Sequence, residues 1–506
     1  MKSQRKKLIV TMCVMTIIYM AVIFFIIPGS QSKIALNQIT SMINKIKVSW
    51  SPTVARNDKD QTVIKNKDTI EVTAKDIPTY YITALLDDKS FQINGQVNLT
   101  INNPGTDTIV FYTYPYSWSS MNIKKVFLND EIANFAYDRR QLTIKNPYKK
   151  KELSIQIEFQ TPVPRRGTRF GYKDNVWLVT TWYPMLGVLD NNQNWVDRPD
   201  PIGMGDPYLF NFANYVVEWT SSPSIKWLSS GTLLSETMVG NERKMTWKVD
   251  GVRNFALAGS TKYKIKEIKP DENTTISIAL TSEENFDRIR NITNAAFSTY
   301  KAHYGQLPYS NLAIIETGND TNFALEYPNL AVFSKDMYVD NKIEHWLPHE
   351  IGHIWWYNAV GINEVKNGWI DEGLAEMGVV LYLENRYSKS EGKQLRDTYR
   401  KRNQLLINTS PYQTLDAGLY RYGNRQELYD SWYARSADMF LTLRDEIGEK
   451  AFNHFLKTLY QTNVGETINE DSIAKALKKS VSIETDLFQN WIHDPYQLTR
   501  WDIKIN

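Results

Sequence analysis

The chain has 506 residues, 42% of them hydrophobic and 23% charged, a balance that excludes a disordered or fibrous protein. Lys and Arg number 59 against 56 Asp and Glu, so the net charge of +3 gives no footprint for nucleic acid. The single cysteine, Cys13, excludes an intramolecular disulfide.

Lys2, Arg5, Lys6 and Lys7 precede an uncharged apolar run over 8–27. Its length matches the ~20 helical residues that cross a bilayer core. The run predicts a transmembrane anchor with residues 1–7 as a cytoplasmic tail and the rest of the chain outside, a single-pass protein of the cell membrane. A cleaved signal peptide is the competing reading, with a weak small-x-small pattern at Ser30-Gln31-Ser32. Residues 28–74 are polar and lack periodicity, which predicts a stalk. Over 75–263, alternating runs such as 91–101, 109–112, 153–159 and 215–219 are separated by Asn, Pro and Gly turns. These predict a β-rich domain. From 264 to 506 the period becomes helical at 283–304, 347–359, 370–387, 431–447 and 450–460. The fold class expected is α+β, β first and helices after.

His349-Glu350-Ile351-Gly352-His353 is an H-E-x-x-H motif. On a helix the two imidazoles share a face and reach one ion, with Glu350 beside them as a base. A hydrolytic Zn2+ site takes three protein ligands and keeps one position open. Glu372 opens a second predicted helix after the turn at Asn367-Gly368, and a reversal of the chain returns it to the ion. Glu376 or Asp371 is expected to orient a ligating histidine. Pro348 belongs in a first helical turn. The helix is therefore expected to start near Leu347, leaving His345 outside it and not a ligand.

The motif, followed by 18 residues and then Glu372, resembles the M1 family of zinc peptidases, the gluzincin aminopeptidases. Phe323-Ala324-Leu325-Glu326-Tyr327 is similar to that family's G-x-M-E-N segment. Ser431-Trp432-Tyr433-Ala434-Arg435-Ser436-Ala437 is similar to its Y-x-K-G-A segment. Trp182-Tyr183-Pro184, Asn254-Phe255-Ala256-Leu257-Ala258 and Leu487-Phe488-Gln489-Asn490-Trp491 also resemble family landmarks, in the same order. The resemblance implies a β-rich saddle domain followed by a thermolysin-like, mainly α-helical catalytic domain. It implies Zn2+ on His349, His353 and Glu372, Glu350 as general base, Tyr433 as oxyanion donor and Glu326 as the group that binds a peptide's free amine. The chain departs from the family pattern at Phe323, Leu325, Tyr327, Asp371, Arg435 and Ser436, and Tyr429 competes with Tyr433. It stops at residue 506, so the long helical carboxy-terminal domain of larger relatives is expected to be absent and the cleft open. The function implied is a membrane-anchored zinc aminopeptidase acting on peptides. An endopeptidase, an epoxide hydrolase of the same fold, and a non-catalytic peptide-binding scaffold are the alternatives.

Overall fold

Alternation of apolar and polar residues builds the first half. In Ala213–Ser221 every second side chain is buried, the mark of a strand with one face on a core. The computed structural model describes residues 77–117, 120–166, 169–318, 323–481 and 491–494. These residues belong to one compact unit. The expected anchor at 8–27 and stalk at 28–74 lie outside them, as do Leu487 to Asn490. Among the described residues, no helix is long and apolar enough to cross a membrane.

Eight strands form the largest sheet, in the order Thr232–Val239, Glu242–Val252, Ala213–Ser221, Thr79–Asp87, Gln92–Asn102, Glu152–Pro162, Asn122–Leu128 and Glu131–Ile132. Only the pair Thr79–Asp87 and Ala213–Ser221 runs parallel. The strand at one end, Thr232–Val239, is exposed along its whole length and carries Leu233, Leu234, Met238 and Val239 outward. Trp182 and Tyr183 are fully buried beneath this sheet's core, against Tyr80, Tyr215 and Trp219.

The second half opens with a sheet that the helical periodicity does not predict. Its order is Lys264–Ile268, Thr275–Leu280, Asn311–Thr317, Leu330–Ser334 and Ala324–Tyr327. The three central strands are parallel and the last lies antiparallel on the edge. Leu330–Ser334 is buried at every position, so it reads as a plain apolar run with no alternation. A four-stranded sheet of the first half supplies Val176, Leu178 and Ala258, and Ala256 stands just before one of its strands. These pack with Ala313, Ile315, Leu325 and Val332 of the second half in one apolar cluster. The edge strand with Glu326 is thereby held against both halves.

The helices, in chain order, are α1 (Phe286–Tyr304), α2 (Ile343–Gly352), α3 (Gly368–Arg386), α4 (Lys389–Thr409), α5 (Ser436–Ile447), α6 (Glu449–Gln461) and α7 (Glu470–Ser480). A single helical turn, Arg425–Leu428, leads into a π-helical segment, Tyr429–Arg435, that runs on into α5. Helix α4 is fully formed, although its face is too polar to have been predicted.

Two expectations for α2 are corrected. It starts at Ile343, not near Leu347, and Pro348 lies inside it. Pro348 forfeits only the bond to the Glu344 carbonyl. The extra turn is retained because His345 and Trp346 donate to the Lys342 carbonyl and because Ile343 and Leu347 are completely buried. The helix also ends earlier than the expected Ala359. After Gly352 the chain breaks into turns, and Tyr357 adopts φ = 129°, where a non-glycine residue is strained.

Candidate metal centre

Helices α2 and α3 pack side by side. His349 of α2 and His353, one turn later at its C-terminal cap, face Glu372 at the start of the second turn of α3. His349 Nε2 and His353 Nε2 are 2.9 Å apart. Glu372 Oε2 is 3.2 Å from the first and 3.6 Å from the second. All three residues are buried. Four donors about 2.0–2.1 Å from a tetrahedral Zn2+ stand about 3.3 Å apart, so the triangle has the size the ion requires.

Hydrogen bonding aims the lone pairs inward. His353 Nδ1 lies 2.7 Å from Asp371 Oδ1 and 3.2 Å from the Trp356 carbonyl. Both partners are acceptors, so Nδ1 carries the proton and Nε2 presents its lone pair. His349 Nδ1 lies 3.1 Å from Glu376 Oε1, an ion-pair contact rather than an aligned hydrogen bond. Two inward lone pairs and a carboxylate oxygen that makes no hydrogen bond (Glu372 Oε2) repel one another unless a cation sits among them. Burial opposes charge on both rings, yet the carboxylates override it. Glu372 and Glu376 push His349 up to about 10, and Asp371 and Glu372 raise His353 well above its usual value. The surroundings thus favour positive charge at this point. Donor chemistry, spacing and orphaned oxygen all fit Zn2+.

Both carboxylates named as orienting groups are used, one per ring: Asp371 on His353 and Glu376 on His349. Glu376 is completely buried and also receives the Tyr399 hydroxyl. Burial alone would raise its carboxyl, but His345 and His349 hold it well below the usual range. His345 is corrected from a position outside the helix to one within α2. Its Nε2 turns to Glu376 Oε1 at 3.1 Å and stays out of the triangle.

Glu350 is buried and its Oε2 has no hydrogen-bond partner. Burial pushes its carboxyl up to about 7, against the pull of His349 and His353. Glu326, half-buried on the edge strand, has an oxygen within 4.8 Å of ligand atoms of both Glu350 and His353. Tyr433, on the π-helical segment, donates to Glu372 Oε1 at 2.5 Å. Its ring lies parallel to that of His349 at 5.7 Å. Tyr429 stacks behind it at 5.1 Å. In this arrangement Tyr433 engages the carboxylate of the triangle rather than open space.

Some residues at the site carry no local sequence signal. Asp206 pairs with Arg169, and the two line a cavity of about 10 Å³ with Glu326, Tyr327 and Glu364. Burial raises the Asp206 carboxyl, Arg169 lowers it, and Glu372 adds to the rise. Only the fold brings a loop of the first half to this point. A groove of about 1620 Å³ runs past Asp190, Trp195, Lys366 and Glu466 and contains none of the triangle's residues.

Residues 291–493 match the family model described as the peptidase family M1 domain. Human aminopeptidase Q is 24% identical over 232 residues, which is 40% of this chain but only 23% of that protein. The M1 zinc metallopeptidase of Deinococcus radiodurans superposes with a TM-score of 0.63 at 15% identity, covering 83% of this chain and 94% of that one. A mutant of that enzyme bound to a Tyr-Ser-Ala substrate gives 0.62 at 15% identity over the same shares. A two-domain M1 mutant bound to L-tryptophan gives 0.61 at 15% identity, again covering 83% and 94%. The structural likeness extends through both halves of the fold, and the domain match contains the whole triangle. Residues 291–493 thus match the peptidase family M1 domain, and the described residues share the fold of solved M1 zinc metallopeptidases.

Proposed function

We propose that the protein is an aminopeptidase that releases the first residue of peptides, with His349, His353 and Glu372 holding Zn2+. The observation that carries this reading is the third carboxylate. Glu326 stands within 4.8 Å of both Glu350 and His353 without belonging to the triangle. A carboxylate at that distance from the reacting centre binds the ammonium of a first residue through charge-assisted hydrogen bonds, placing the first peptide bond at the base. The related mutant crystallised with a Tyr-Ser-Ala substrate supports a peptide as the ligand.

When bound, Zn2+ supplies Lewis acidity, polarising a carbonyl and acidifying a water. Glu350 takes the proton of the attacking water and delivers it to the departing amine. Its burial keeps it poised for both transfers. Tyr433 swings its hydroxyl from Glu372 to the oxygen that gains charge in the transition state. Asp371 and Glu376 fix the two rings so that the ligand geometry survives the reaction. The apolar run at 8–27 with its basic flank supports a membrane-anchored enzyme whose catalytic half works outside the cytoplasm.

Matched peptides with free and acetylated amino ends test this directly. The free peptide is expected to be cleaved and the blocked one to resist. Equal rates on both would favour an endopeptidase and remove the role given to Glu326.

A further inference from the structure

The connection that joins α2 to α3 is held from behind. On it, Glu364 Oε1 stands 3.5 Å from Nη1 of Arg253. Arg253, Glu364, Asp371 and His353 are 2%, 2%, 1% and 2% exposed, so the series is dry from end to end. Burial and the charge of Asp371 push Glu364 well above the usual carboxyl range, with Arg253 pulling the other way.

Arg253 comes from the first half, in the turn between strands Glu242–Val252 and Leu257–Ser260. It also donates to the Ile362 carbonyl, and its guanidinium lies 5.1 Å from the centre of the Tyr357 ring. The neighbouring Asn254 donates to the Tyr357 hydroxyl at 2.9 Å. Tyr357, Ile362 and Glu364 all lie on the stretch that leaves α2 after His353 and returns as α3 with Glu372. Two consecutive residues of the β half thus grip the connection between the two ligand-bearing helices. The strained backbone at Tyr357 (φ = 129°) sits in that grip.

We propose that Arg253 and Glu364 are positioning residues of the metal centre, holding the connection between α2 and α3 so that His353, Asp371 and Glu372 keep their places, and thereby coupling the β half to metal affinity. The inference rests on the reading that His349, His353 and Glu372 bind Zn2+.

The test measures Zn2+ affinity of the full chain by chelator competition, a readout independent of turnover. Glu364→Ala is expected to bind Zn2+ about 10–100-fold more weakly, the usual effect of losing an outer support of a ligand. Glu364→Gln, which keeps the length of the side chain and an oxygen for Arg253, is expected to keep most of the affinity. A folded Glu364→Ala variant with wild-type affinity overturns the proposal, and so does a Gln variant as weak as Ala. Should Glu364→Ala not fold, Arg253→Lys takes its place, since lysine keeps the charge but not the fork that reaches Ile362 and Glu364. About tenfold weaker binding is expected there, and unchanged binding overturns the proposal. His349→Ala is the control. If it retains Zn2+, the assignment of the centre has failed rather than the role of Arg253 and Glu364.

Discussion

Replacing Glu350 by glutamine separates binding from chemistry. The residue is 3% exposed and its Oε2 makes no hydrogen bond, so an amide of the same shape breaks no contact at that atom. A buried charge is removed rather than stranded, so stability should hold or rise. The triangle of His349, His353 and Glu372 is untouched, and Zn2+ should remain stoichiometric. What disappears is the only group given the task of moving the proton. Positioned acid–base catalysis contributes roughly 10²–10⁴ in rate, which is about 3–5 kcal/mol of barrier. The assay is steady-state hydrolysis of an aminoacyl chromogenic amide, paired with zinc content by atomic spectroscopy. A kcat within about tenfold of wild type at full zinc occupancy would show that another group takes the proton, with Glu326 the nearest suspect.

Tyr433→Phe should lower kcat by about 10²–10³ with little change in KM, the pattern of a donor used only in the transition state; an effect confined to KM would move Tyr433 to ground-state binding. Glu372→Ala removes one corner of the triangle, and zinc retained at wild-type affinity in a chelator titration would exclude it as a ligand. Gly373→Ala tests the packing that places its neighbour Glu372. A Cβ there would come within 2.0 Å of Ser436 Oγ and 2.6 Å of Ser436 Cβ. Ser436 cannot turn away without losing its bond to the Trp369 carbonyl. A loss of about 1–3 kcal/mol is expected in denaturant unfolding, and an unchanged midpoint would mean that α3 and α5 separate freely.

The centre was legible because its donors follow local rules. His349 and His353 are one helical turn apart, and Glu372 follows a turn signal at Asn367-Gly368, so periodicity alone suggests that they meet. Pro348 misled on the start of α2 because sequence rules weigh the lost hydrogen bond and not the burial of Ile343 and Leu347. Leu330–Ser334 escaped because a strand covered on both faces has no alternation to detect. The π-helical segment at Tyr429–Arg435 left no pattern, since one extra residue per turn is decided by packing. Asp206, Arg253 and Glu364 were out of reach altogether. Each acts on groups that only the tertiary fold brings near, and none belongs to a motif.

The outer strand Thr232–Val239 has a practical side. Four large apolar side chains on a ribbon with free amide and carbonyl groups make a ready template for any other extended polypeptide. At high concentration the molecule will therefore tend to recruit its own copies edge to edge. Its built-in safeguard is the irregularity between Leu233 and Ser235, which kinks the ribbon and interrupts a continuous ladder. A charged residue in place of Leu234 would strengthen that safeguard and make concentrated stocks easier to keep in solution.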